Sequence, residues 1–232
     1  MSILLVLLMF LLIVVISRVR RHEPKPSRTV KAGVPGPPLT IPHGVLGIPD
    51  GYFFHLCHTW AAREAGEDAR VGVDSFVANL FGSEIEHIEV MQLNRWVRQG
   101  QKLMTVSGAG VSLEFLSPVE GAVKELNENA LRNPALVASD PYRCGWIAVL
   151  KAPDITTDQK NLLQGPTAKL WLRNCIARLN EIVAQCSPAL AQDGGLPAQG
   201  LLRRVSPELQ GKLVKEFFLT EPIPREQVLT AR

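Results

Sequence analysis

Residues 102–126 read KLMTVSGAGVSLEFLSPVEGAVKEL, and the fold turns on this stretch. Two short β-like runs, residues 102–106 and 112–116, flank Gly108 and Gly110, which accept positive φ at little cost and so suit a tight hairpin. The turn at residues 117–121, SPVEG, then feeds a third run over residues 121–126. Working outward, residues 69–73, 85–92 and 146–151 are runs of the same kind. In EIEHIEVMQL, Ile85, Ile88 and Val90 are interleaved with Glu84, Glu86, His87 and Glu89, in the manner of a half-buried strand. Many short strands with turn signals at modest spacing indicate a sandwich or barrel rather than a parallel α/β sheet.

Helical signals sit between and after these runs. Residues 74–81 fit a short internal helix, with Asp74 or Ser75 as its cap and Gly82 stopping it. Thr156 and Thr157 can cap a longer helix from Asp158 onward. Along it Leu172, Ile176, Leu179, Val183 and Cys186 recur at steps of three and four, which makes Cys186 a small apolar packing residue. A linker, PALAQDGGLPAQG, then leads to an amphipathic stretch carrying Leu209, Leu213 and Phe217. It reads as a further helix covering the core.

At the N-terminus residues 3–16 read ILLVLLMFLLIVVI without a charge, followed by Arg18, Arg20, Arg21, Lys25, Arg28 and Lys31. That pattern predicts a transmembrane anchor over residues 1–17. The basic flank predicts a single-pass protein of the cell membrane with its N-terminus outside and its soluble domain cytoplasmic. Residues 18–50 form a basic, then Pro/Gly-rich tether, residues 51–186 the domain with its C-terminal helix, and residues 187–232 a linker and amphipathic helical tail.

Composition narrows the function classes. A formal net charge of +3, with no long basic stripe, argues against nucleic acid as a partner. The cysteines Cys57, Cys144, Cys175 and Cys186 are irregularly spaced and lack a CxxC pair, so neither a disulfide framework nor a structural zinc site is indicated. No G-x-S-x-G elbow supports a hydrolase. His55, Cys57 and Cys144 remain as a candidate thiol or metal site: on a strand His55 and Cys57 share a face while His58 points away, and Cys144 is a third ligand if the first and last strands meet.

Six motifs occur in order: HTW at residues 58–60, VGVDSF at 71–76, LFG at 80–82, the turn around Gly100, SPVEG at 117–121 and NPALVASDPYRCGWI at 133–147. Over roughly residues 51–172 the chain resembles the glycine cleavage system H protein family. The resemblance implies a mainly β, flattened barrel-sandwich of the lipoyl/biotinyl-like type with a C-terminal helix. It also implies a lipoyl group on a lysine at a hairpin tip, in a stretch like E-S-V-K-A, shuttling an aminomethyl group between partner enzymes. Such a protein is a carrier and not an enzyme.

Counted back from Ser117, the lysine position falls on Gly110, with Ser107 where the acidic residue is expected and Glu114 following. No lysine lies between Lys102 and Lys124. Lipoate therefore has no attachment point in this stretch. The leading expectation is a membrane-tethered, non-catalytic module acting through protein contacts, a scaffold or regulatory relative of the carrier, with partners among glycine cleavage or lipoate-related enzymes. The alternatives are an aminomethyl-carrying H component of the glycine cleavage system, and the thiol or metal site named above.

Overall fold

The computed structural model describes residues 47–186, 198–218 and 223–224, all within one compact unit that spans residues 41–232. Along the chain run β1 (Tyr52–Phe54), β2 (Thr59–Arg63), β3 (Asp68–Val73), α1 (Ser75–Phe81), β4 (Ile85–Val90), β5 (Trp96–Val97), β6 (Lys102–Gly108), β7 (Val111–Leu116) and β8 (Gly121–Leu126). They are followed by α2 (Glu128–Arg132), α3 (Ala135–Ser139), β9 (Ala148–Lys151), α4 (Ile155–Asp158), β10 (Leu163–Gln164), α5 (Gly165–Cys186), α6 (Leu201–Arg204), α7 (Pro207–Phe217) and β11 (Ile223–Pro224).

The hairpin read from the sequence is β6 and β7. Ala109 and Gly110 join them with φ of 51° and 83°, and Gly108 pairs with Val111 directly below the turn. A two-residue connection with positive φ at both positions matches the twist of the flanking strands. This hairpin lies inside a four-stranded sheet of order β11-β7-β6-β4, and a seven-stranded sheet runs β10-β1-β2-β3-β9-β8-β5. Alternate residues of both sheets point into one core: Val71, Val73 and Leu150 from one, Met104, Val106, Leu113 and Phe115 from the other. Alternation puts every second side chain on one face, and this is why LEF and VGV contribute to a shared interior.

Helices close the ends of that interior. Asp74 caps α1 by accepting from the backbone N–H groups of Phe76 and Val77, and Phe76, Val77, Leu80 and Phe81 are buried beneath it. Ser206 caps α7, whose Leu209, Leu213, Val214 and Phe217 are buried in the same core.

Several expectations need correction. The sheets are open, and no barrel closes. The edge strands β5, β10 and β11 are two residues long, and β11 ends on Pro224, which brings no N–H; so little ladder is available to join one sheet to the other. The long helix begins at Gly165 and not at Asp158, because Leu163 and Gln164 are drawn into pairing with β1. Thr156 and Thr157 lie inside the short α4. Cys186 is exposed, not packed.

The single-pass membrane topology is also set aside. Its segment, residues 1–17, lies outside the described residues, and among those residues no helix is long and apolar enough to cross a membrane. The longest helix among the described residues, α5, carries the exposed Lys169, Arg173, Arg178 and Glu181 and is amphipathic. The cell-membrane localisation, the outside N-terminus, the cytoplasmic domain and the membrane as a partner lose their footing with it.

Candidate functional site

The hairpin tip is built by short side chains and close backbone approaches. Ser107 and Ser112 face each other across it with their hydroxyls 2.8 Å apart. Gly108 lies against the preceding segment so tightly that a Cβ there would sit 1.9 Å from the carbonyl oxygen of Glu84. Gly110 is exposed, and a Cβ built on it would meet nothing within 4 Å. At Gly110 the apex therefore has room for a side chain and carries none. From α7, Gln210 Nε2 donates to the carbonyl of Ala109 at 3.1 Å, holding the turn from one side.

No amine reaches this apex from the neighbouring lysines in sequence. Lys102 starts β6 at the opposite end of the hairpin, about 20 Å away at the ordinary rise of a strand, and its Nζ is paired with Glu114 Oε1 at 2.5 Å. Lys124 belongs to β8 in the other sheet, where its amine is paired with Asp68.

A second cluster lies inside the domain. Residues 55–58 form a turn closed by the His58 N–H on the His55 carbonyl, 3.0 Å, and His58 itself has a φ of 64°. Its ring is sandwiched between Phe76 and Trp171, with centroids 4.4 and 4.7 Å away, and Phe218 approaches at 5.6 Å. Nδ1 of His58 donates to Oδ2 of Asp74 at 2.7 Å. With His58 1% and Asp74 0% exposed, this couple has no access to a substrate; it ties the 55–58 turn to the cap of α1. Cys175 stands nearby on α5, but burial first, and then the charge of Asp74, push its thiol up to about 12. An activated thiol needs the opposite shift.

The sequence-derived trio separates. His55 Nδ1 and Cys57 Sγ are 3.0 Å apart, yet they belong to a turn and share no strand face, because β1 ends at Phe54. Cys57 is buried, and burial raises its thiol pKa; its Sγ points toward the Leu116 carbonyl. Cys144 is exposed, and partial desolvation followed by the charge of Asp140 raises its pKa. Among the described residues no group of three or more His, Cys, Asp or Glu side chains could hold a metal ion. The features that sequence reasoning missed, the His58–Asp74 couple and the contact of Gln210 with the turn, join residues 16 and 101 positions apart. No local pattern signals such contacts.

Against known proteins, the sequence profile described as "Glycine cleavage H-protein" matches residues 52–174. The glycine cleavage system H protein of Legionella pneumophila (strain Corby) is 34% identical over 110 residues, covering 47% of this chain and 86% of the relative. That of Thermus thermophilus is 30% identical over 110 residues, covering 47% and 84%. Among solved structures, a glycine cleavage system H protein from Mycobacterium marinum aligns with a TM-score of 0.42 at 24% identity, covering 45% of this chain and 86% of that one.

Proposed function

The chain belongs to the glycine cleavage H-protein family, and from that membership we propose that it serves as an H-type carrier component of a glycine cleavage system. It is not an enzyme in its own right. The observation that carries the reading is the family match over residues 52–174, which spans both strands of the β6–β7 hairpin and the turn between them. The expectation of a membrane-tethered scaffold or regulatory module gives way to this reading. The match lies wholly in the domain, and no membrane-crossing helix exists among the described residues to support the tether. The partners are accordingly enzymes of the glycine cleavage type.

The lipoyl group that the family implies does not fit the hairpin of this chain. Amide attachment of a carboxylic acid requires a primary amine. By the motif count, Gly110 occupies the attachment position, with Ser107 before it and Glu114 after it, and the apex built by Ala109 and Gly110 offers a methyl group and backbone but no amine. No step is therefore routed through an arm at this turn. A carrier role then requires any carried group to sit on a lysine outside residues 105–116.

The test is restoration of glycine cleavage in a bacterial strain deprived of its own H component, with intact-mass and peptide mapping of the recovered protein. Restoration, together with a lipoyl increment on a lysine outside the hairpin, is expected. Folded, unmodified protein at normal H-component levels that restores nothing would refute the carrier reading.

A further inference from the structure

Where α5 ends, two reactive side chains from different elements meet. Cys186 is the last residue of the helix, and its thiol is exposed. Lys212 Nζ, from α7, donates to Cys186 Sγ at 3.7 Å, and this lysine is exposed as well. The packing of the two helices holds the approach in place. Ile182 and Val183 of α5 are buried in the same core as Leu213 and Val214 of α7. A second contact ties the helices together: Arg178 Nε donates to Glu216 Oε1 at 2.7 Å. Cys186 and Lys212 both lie beyond residue 174, where the family match ends, and the carrier reading uses neither of them.

We propose that Cys186 and Lys212 form a redox-controlled covalent link, in which peroxide oxidises the thiol to a sulfenic acid and the lysine amine captures it as a sulfenamide. In the first step sulfur gives two electrons to hydrogen peroxide; the S–H group becomes S–OH and one water leaves. In the second, the neutral amine of Lys212 attacks that sulfur. The S–O bond breaks, an S–N bond forms, and the hydroxyl departs as water with a proton from the amine. A sulfenic acid left alone passes on to the irreversible sulfinic acid. An amine held 3.7 Å away intercepts it first, because the capture is intramolecular. The flexible four-carbon stem of lysine closes the remaining distance without displacing either helix. A small thiol reverses the link by attacking sulfur, which releases the amine and leaves a mixed disulfide for a second thiol to reduce.

The link joins positions 26 residues apart and pins α7 to the end of α5. Gln210, on the same helix as Lys212, holds the hairpin turn through the Ala109 carbonyl. Two residues of α-helix turn through about 200°, so α7 presents Gln210 to the turn on one side and Lys212 to Cys186 on the other. Oxidation thereby stiffens the brace on the hairpin, and reduction relaxes it. The inference goes beyond the carrier reading and does not depend on it.

Peroxide treatment of the reduced full-length chain tests it, in a Cys144→Ser background that removes the other exposed thiol. Intact mass should fall by about 2 Da, the two hydrogens lost when one S–N bond replaces S–H and N–H. Trypsin digestion without thiol should yield residues 179–203 joined to residues 205–215, since a linked Lys212 is no longer cleaved. Tm should rise by about 5 °C or more, as for other cross-links that close a loop of this size, and dithiothreitol should abolish both the link and the rise. Lys212→Arg keeps the positive charge without a nucleophilic amine, and Cys186→Ser removes the sulfur. Both exposed positions tolerate the change, so the reduced variants should melt with the parent, and neither should link or gain Tm under peroxide. Oxidation of Cys186 to sulfinic acid with no joined peptide, a link through Lys215 in place of Lys212, or an equal rise in Tm for Lys212→Arg overturns the proposal. None of these readouts involves glycine cleavage, so this failure and that of the carrier reading are told apart.

Discussion

Replacing Asp74 with alanine tests how the interior is held together. Its carboxylate, 0% exposed, accepts from His58 Nδ1 at 2.7 Å and from the N–H groups of Phe76 and Val77 at 3.0 and 3.1 Å. Losing a helix cap costs about 1–2 kcal/mol. Leaving a buried ring N–H without an acceptor adds roughly 1–3 kcal/mol. Taken together, about 3 kcal/mol is a central value, and for a domain of this size it lowers Tm by roughly 6–12 °C. Asp74→Asn separates the two parts. One side-chain oxygen can still cap α1 while the amide cannot accept from His58, so about half of the loss is expected. Thermal and urea unfolding of the parent and both variants gives the comparison. An alanine variant within about 1 kcal/mol of the parent, or an asparagine variant less stable than the alanine one, would refute the account of a shared acceptor.

Phe218→Ala should cost about 3–5 kcal/mol in urea unfolding, because the ring is 0% exposed and lies 5.7 Å from Phe115; a loss under about 1 kcal/mol would show that the stretch after α7 is not part of the core. Burial lowers the pKa of His55 from its ordinary value of about 6.5. The folded state therefore binds fewer protons, and the contribution is complete above that ordinary value and is lost as pH falls through the folded one. The urea midpoint should drop between about pH 7 and pH 5, and drop less in His55→Gln. Maleimide should label Cys144 and Cys186, both exposed, in the folded protein, and reach the buried Cys57 only on unfolding. Gly110→Lys should fold with a loss of about 1–2 kcal/mol from the positive φ and, coexpressed with a lipoyl ligase, gain the lipoyl mass at that lysine. An apex that stays unmodified would contradict its open geometry.

The sequence discloses what is local. The hairpin over 102–116 is legible because glycines punctuate two alternating runs, and α1 because Asp74 and Gly82 bracket it. β1 and β2 escape because YFF and TWAAR carry no alternation. Thr59, Trp60 and Ala61 are all buried, and the HLCH turn between the two strands imitates a continuing strand. Hence the pattern puts His55 and Cys57 on a shared face that does not exist. The start of α5 is misread because Leu163 and Gln164 are captured by Phe54 and Phe53, partners more than a hundred residues away. Within the candidate site, the missing lysine can be counted directly. The glutamine that braces the turn cannot, since its acceptor is a carbonyl on another element.

The strand order has a consequence for synthesis. β3 has β9 as its neighbour, with Ala69 opposite Leu150 and Val71 opposite Ala148, and β1 takes β10 on its outer side. A chain emerging from the ribosome can form the 102–116 hairpin at once, since its halves are adjacent. The larger sheet can start as the local β1–β2–β3 meander, but the outer edges of β3 and β1 stay open until residues 148–164 are made, so an apolar half-sheet travels exposed to chaperones through much of translation.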